Sequence, residues 1–102
     1  MSYSIKYSPT AIRDLDRIFD EVYQASLDIN ITKKYIDELL GNIETKKDFP
    51  ESGIPLLVND VFSGYRYVIF KSYIAFYYVE KDFVYVDRVL SGKSDYIKRL
   101  HL

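Results

Sequence analysis

Two arginines set among apolar strand residues, Arg66 and Arg88, are where this 102-residue chain offers chemistry. Arg66 alternates with Val68 and Phe70, and Arg88 with Val84, Val86 and Leu90, so each is expected on a hydrophobic strand face. An arginine in that position is costly unless it meets an anion or reaches water. Two guanidinium groups on neighbouring strands that converged would bind a phosphate or a carboxylate, because each presents a planar fork of donors. Lys93, Lys98 and Arg99 follow closely and would add charge beside that anion-binding pair. The alternative is structural: each arginine lies near a sheet edge and snorkels, or pairs with an acid such as Asp87 or Asp95.

The elements that must position these residues are legible in the pattern. Residues 65–100, YRYVIFKSYIAFYYVEKDFVYVDRVLSGKSDYIKRL, read as three consecutive strands with short turns at Lys71-Ser72 and Lys81-Asp82, then a basic tail. Ile74 to Val79 is apolar on both faces, as a central strand should be. Upstream, Tyr3, Ile5 and Tyr7 alternate with polar residues and predict a short strand. Ser8-Pro9 then marks a helix start, with serine as N-cap and proline at the first helical position. Ala11, Ile12, Leu15, Ile18, Phe19, Val22 and Tyr23 define the apolar stripe of that helix. Leu27 to Asn30 interrupts it, with Asn30 the expected cap of a second helix carrying Tyr35, Ile36, Leu39, Leu40 and Ile43 and running to about Lys47. Gly41 weakens that helix or admits a close neighbour.

A short link between two long helices makes an antiparallel hairpin. A loop with two prolines and a glycine, residues 49–55, leads to a short strand around Leu56–Val58, with Ser63-Gly64 turning into the main sheet. The expected fold is α+β: an N-terminal strand, a long helical hairpin, a twisted antiparallel sheet of about four strands and a short C-terminal helix, over residues 1–102 as one domain. The expected core is Ile5, Ile12, Leu15, Phe19, Val22, Ile36, Leu39, Leu40, Ile43, Val68, Phe70, Ile74, Phe76, Val84 and Val86.

Composition narrows the function. With 48% hydrophobic and 28% charged residues the chain should fold. The absence of cysteine removes disulfide and thiol chemistry, and a single histidine, His101, cannot make a metal site, so no cofactor is expected. No apolar run reaches membrane-span length and no leader pattern is present, which favours a cytoplasmic protein with no membrane role. The net charge of −1 provides no global field for nucleic acid, so any such binding would need a local patch. Eleven tyrosines and six phenylalanines exceed what one small core hides; either tyrosine merely decorates the sheet, as its β-propensity predicts, or part of that surface is covered by a partner.

YSPTAIRDLDRIFDEVY near the start, YIDELLGNI in the second helix, the proline- and glycine-bearing loop, YRYVIF with YIAFYYV, and DRVLSGKSDY together resemble the RelE/ParE superfamily of bacterial toxins. The likeness spans nearly the whole chain in order. It implies a type II toxin neutralised in a complex with a cognate antitoxin, and one of two activities. RelE-like members cut messenger RNA on the ribosome by driving a 2′-hydroxyl onto the adjacent phosphate. By position Arg66 and Arg88 match that branch's phosphate-binding arginines, and Tyr96 its terminal tyrosine, which stacks on a base or assists proton transfer. Lys93 and Lys98 would supplement them.

Three departures count against this branch: the near-neutral charge, a lone penultimate histidine, and no lysine cluster over residues 57–63. ParE-like members instead poison DNA gyrase without a catalytic constellation. The long helical hairpin and RVLSGKSDY, which resembles their R-V-L-H-x-R-x-D pattern, favour that branch, with the metal-independent ribonuclease as the alternative.

Overall fold

The computed structural model describes residues 3–102. Its order is β1 (Ser4–Tyr7), α1 (Pro9–Ser26), α2 (Ile29–Glu44), β2 (Ile54–Val58), β3 (Val61–Phe70), β4 (Tyr73–Glu80), β5 (Phe83–Ser91) and α3 (Tyr96–Arg99), with 3-10 turns at Thr45–Lys47 and Pro50–Ser52. The α+β plan matches expectation, but the sheet has five strands in the order β1-β5-β4-β3-β2. It is also mixed rather than wholly antiparallel, because β1 runs parallel to β5 from Ser4↔Phe83 to Tyr7↔Val86. The helical hairpin lies between β1 and the rest of the sheet in sequence, and so supplies the crossover that parallel pairing requires.

Local signals explain the boundaries. Ser8 caps α1 by accepting the Ala11 amide, with proline at the start as expected. The cap of α2 is Asp28 rather than Asn30: its carboxylate accepts the Asn30 and Ile31 amides at 2.9 and 3.1 Å. The α-helix stops at Glu44 and tightens into a 3-10 turn through Lys47. Gly41 has open space where a side chain would stand, so no neighbour approaches it closely. Asn59 and Asp60, both with positive φ, make the β2–β3 turn, and Ser63-Gly64 lies inside β3 instead of turning into it. The turns at Lys71-Ser72 and Lys81-Asp82 are where expected.

Two apolar clusters sandwich the sheet. The first joins Ala11, Ile18, Leu39 and Ile43 of the helices to Phe70, Tyr73, Ala75, Tyr77, Val84, Val86 and Val89. The second, on the opposite face, joins Leu56, Phe76 and Leu90 to Leu100, with Tyr96 and Ile97 of α3 packed against it. Most of the expected core is buried or half-buried in these clusters. Phe19 and Leu40 are half-buried but belong to neither cluster, and Ile12 is 51% exposed, because the buried stripe of α1 runs through Ala11, Asp14 and Ile18. No helix among the described residues is long and apolar enough to cross a membrane.

Candidate functional site

Strand β5 outlasts its neighbour. Its pairing with β1 ends at Tyr7↔Val86, where the Ser8 amide bonds the Val86 carbonyl at 2.9 Å and the chain turns into α1. A register shift opposite Phe76 and Tyr77 leaves Asp87 as an extra residue, and Arg88 then stands opposite Phe76 and Val89 opposite Ala75. This bulge reverses the alternation: Val84, Val86 and Val89 face the helices, whereas Arg88 and Leu90 belong to the other face. The uninterrupted spacing of Val84, Val86, Arg88 and Leu90 therefore misstates which face carries Arg88.

Side chains of α1 replace the missing strand along this edge. The Ser8 hydroxyl donates to the Asp87 carbonyl at 2.7 Å. Asp14, only 2% exposed, accepts the Val89 amide at 3.0 Å, and Arg17 donates to the Val89 carbonyl at 3.3 Å. The same carboxylate binds Arg88 through both oxygens, from Nε at 2.8 Å and Nη2 at 3.0 Å, and Arg17 at 2.9 Å. Burial alone would raise the Asp14 carboxyl; bonds from Arg88, the Val89 amide and Arg17, with the Arg88 charge, reverse that and hold it below its ordinary value. The hydrogen bond from Arg88 to Asp14 raises the Arg88 guanidinium. The acid that Arg88 finds is thus on α1, not Asp87 or Asp95.

Arg66 has a different seat. It stands opposite Tyr77 and Pro55, on the face shared with Val68 and Phe70. One guanidinium nitrogen donates to the carbonyls of Glu51 and Gly53, each at 3.2 Å, and the group lies 5.1 Å above the Phe62 ring. Tyr77 holds that loop, donating to the Pro50 carbonyl at 2.7 Å and accepting the Gly53 amide at 2.9 Å. A Cβ at Gly53 would overlap the Tyr77 hydroxyl, which is why glycine stands there. Carbonyl dipoles and a ring face, rather than a carboxylate, support Arg66.

The expected anion-binding group therefore does not assemble. Strand β4 separates the two arginines, which puts their backbones about 10 Å apart at the usual strand spacing, and they occupy opposite faces. Tyr96 opens α3 and stacks on Phe76 with ring centres 5.2 Å apart. Lys93 and Lys98 are exposed, Lys93 in the β5–α3 loop and Lys98 in α3. Basic groups do gather nearby, since Arg17 and Arg99 line a hollow of about 180 Å3 with Leu90, Ser91 and Ser94. Among the described residues, no group of three acids, histidines or cysteines is placed to hold a metal ion.

Sequence reasoning missed Asp14 and Arg17, although a signal existed. Asp14 sits three residues after Ala11 and four before Ile18, in the buried stripe, where a carboxylate requires cations.

The chain matches the model of the ParE toxin of the type II toxin–antitoxin system parDE over residues 5–96. No curated protein matches by sequence search. Among solved structures it is similar to a chain of the chromosomal ParDE system of P. aeruginosa at 17% identity and TM-score 0.73, covering 88% of this chain and 96% of that one. It is similar to a chain of the RelBE2 toxin–antitoxin complex of Mycobacterium tuberculosis at 19% identity and TM-score 0.58, covering 89% and 99%. YafQ from E. coli aligns at 16% identity and TM-score 0.51, covering 88% and 93%.

Proposed function

Because the chain belongs to the ParE toxin family of type II toxin–antitoxin systems, we propose that it arrests growth by binding and inhibiting DNA gyrase and is neutralised in a complex with a cognate antitoxin. The observation that carries this reading is the Arg88 seat. Its guanidinium is consumed by a buried carboxylate at 2.8 and 3.0 Å, and Arg66 lies two strands away on the other face. Cleaving RNA by 2′-hydroxyl attack needs a proton acceptor, cations on the phosphorane and an acid for the leaving oxygen, all at one point. Arg66 and Arg88 are held in separate seats, on the Glu51 and Gly53 carbonyls and on Asp14, and the Tyr96 ring is packed on Phe76. Inhibition of a protein target needs only a complementary surface, which a chain of net charge −1 can supply.

The test pairs two assays on the purified protein. Gyrase supercoiling should stop at stoichiometric toxin while ribosome-bound message stays intact. Normal supercoiling at excess protein, with message cleaved in the decoding site, would instead establish the ribonuclease. The antitoxin arm is tested by co-expressing the product of a small reading frame beside the gene, which should restore growth.

A further inference from the structure

The sheet face turned away from the helical hairpin has two halves. Helix α3 and Leu100 cover Leu56, Phe76 and Leu90. The other half carries a ladder of rings across three strands. Tyr65 of β3 meets Tyr78 of β4 edge-to-face at 5.7 Å, Tyr78 stacks on Tyr85 of β5 at 5.2 Å, and Phe83 follows at 5.7 Å. Cross-strand register puts them on one face, with Tyr78 opposite Tyr85, Glu80 opposite Phe83 and Lys6 opposite Tyr85. A groove of about 340 Å3, lined by Ser63, Gly64, Tyr65, Tyr78 and Val79, opens at the β3 end. Gly64, at φ +93° with open space about its Cα, keeps side chains out of it.

This half carries two acids, Asp87 and Glu80, beside one cation, Lys6. Asp87, the bulge residue, accepts the Tyr65 hydroxyl at 3.0 Å, and the nearest cation on its own strand, Arg88, spends its fork on Asp14. Glu80 is exposed. Burial first, then the Asp87 bond and charge, push the Tyr65 hydroxyl up to about 12; burial first, then Asp87 and Glu80, raise that of Tyr78. The ladder already accepts one cation, since Lys6 Nζ lies 3.9 Å from the centre of the Phe83 ring and 6.0 Å from that of Tyr85.

We propose that the Tyr65–Tyr78–Tyr85 ladder, with Asp87 and Glu80, is a docking surface for an arginine-bearing segment of a partner protein. An arginine laid on Tyr78 or Tyr65 repeats with a partner's side chain what Lys6 does at Phe83, and the guanidinium fork meets the Asp87 carboxylate. Its methylene stem fills the groove beside Val79. Nucleic acid also stacks on aromatic rings, but its phosphates would face two carboxylates here. The proposal is independent of the gyrase reading, because it is read by binding alone.

The experiment is an NMR titration of the full chain with a blocked Gly-Arg-Gly-Arg-Gly peptide. The ring resonances of Tyr65, Tyr78 and Tyr85 should shift while those of Tyr73 and Tyr77, buried on the helix side, stay still. Gly-Glu-Gly-Glu-Gly and a short oligouridylate should leave the ladder unmoved. Asp87→Asn, which keeps an acceptor for Tyr65 but removes the charge, should bind the arginine peptide about fivefold more weakly, as expected for loss of one half-exposed charged contact. Tyr78→Leu should lose the Tyr65 and Tyr85 shifts, and Glu38→Gln on α2 should titrate as wild type. An unmoved ladder, equal shifts with the acidic peptide or the RNA, wild-type affinity in folded Asp87→Asn, or concentration-dependent shifts without peptide that reveal a second copy on this face would each overturn it. A protein that blocks supercoiling yet ignores the peptide loses this proposal only.

Discussion

Arg66 and Arg88 solve the same problem in opposite ways. Each is an arginine on a strand with apolar neighbours. Arg88, its side chain 15% exposed, is held by a carboxylate that is itself 3% exposed, so charge meets charge in the interior. Arg66 lies at the margin between β2 and β3 and is held by two carbonyls and a ring. The difference shows that burial decides the partner. A cation cut off from water needs a full counter-charge, whereas one that still touches water is satisfied by dipoles. It also shows that the Arg88 seat stabilises the sheet, since the same carboxylate closes the bare edge of β5.

The contrast is sharpest in stability. Asp14→Ala should destabilise the protein by about 3–5 kcal/mol, as removal of one partner of a buried pair does, because Arg88, Arg17 and the Val89 amide all lose their acceptor. Urea unfolding would measure it, and a loss below about 1 kcal/mol would mean that the edge of β5 does not depend on the carboxylate.

The pH dependence follows from the same group. Asp14 is depressed in the folded state, so its contribution is fully present above the unfolded carboxyl value of about 3.9 and is lost as pH falls through the lower folded value. The stability gap between wild type and Asp14→Asn should therefore be constant near neutrality and narrow below about pH 4. A gap unchanged down to pH 2 would show that charge is not what Asp14 supplies.

At Arg66 the effect should be smaller. Arg66→Ala removes two hydrogen bonds to carbonyls at a half-buried site and should cost about 1 kcal/mol. A loss as large as that of Asp14→Ala would erase the distinction between the seats. The smallest change concerns Tyr7, whose buried hydroxyl has no partner among the described residues. Tyr7→Phe should be neutral or stabilising by a few tenths of a kcal/mol, because it removes an unsatisfied group. A clear destabilisation would indicate a partner such as bound water.

How much of this was legible depends on range. The helices and the β3–β4–β5 meander were readable because their signals are local: Ser8-Pro9 as a start, three-and-four spacing in α1, short turns at Lys71 and Lys81. The parallel pairing of β1 with β5 was not, since nothing in Tyr3 to Tyr7 names a partner some eighty residues away. The bulge at Asp87 left a trace, since two polar residues, Asp87-Arg88, are followed by two apolar ones, Val89-Leu90, but the i, i+2 spacing of Val84, Val86, Arg88 and Leu90 hid it. Asp14 was readable in principle from its place between Ala11 and Ile18, but a charged side chain is ordinarily expected on the solvent face of such a helix. Of the candidate site, the unusual burial of Arg88 was legible; its partner, and hence its role in the sheet edge, required the tertiary crossing of α1 over β5.

The central claim is that Arg88 serves the fold and does not read an anionic ligand. The most direct measurement is growth arrest by the double variant Asp14→Asn/Arg88→Gln, which removes both charges and keeps polar groups along β5, in cells where its folding is confirmed by circular dichroism of the purified protein. Arrest within a few-fold of wild type is the predicted result. A folded, stable double variant that no longer slows growth would contradict the claim and return Arg88 to the contact surface for the target.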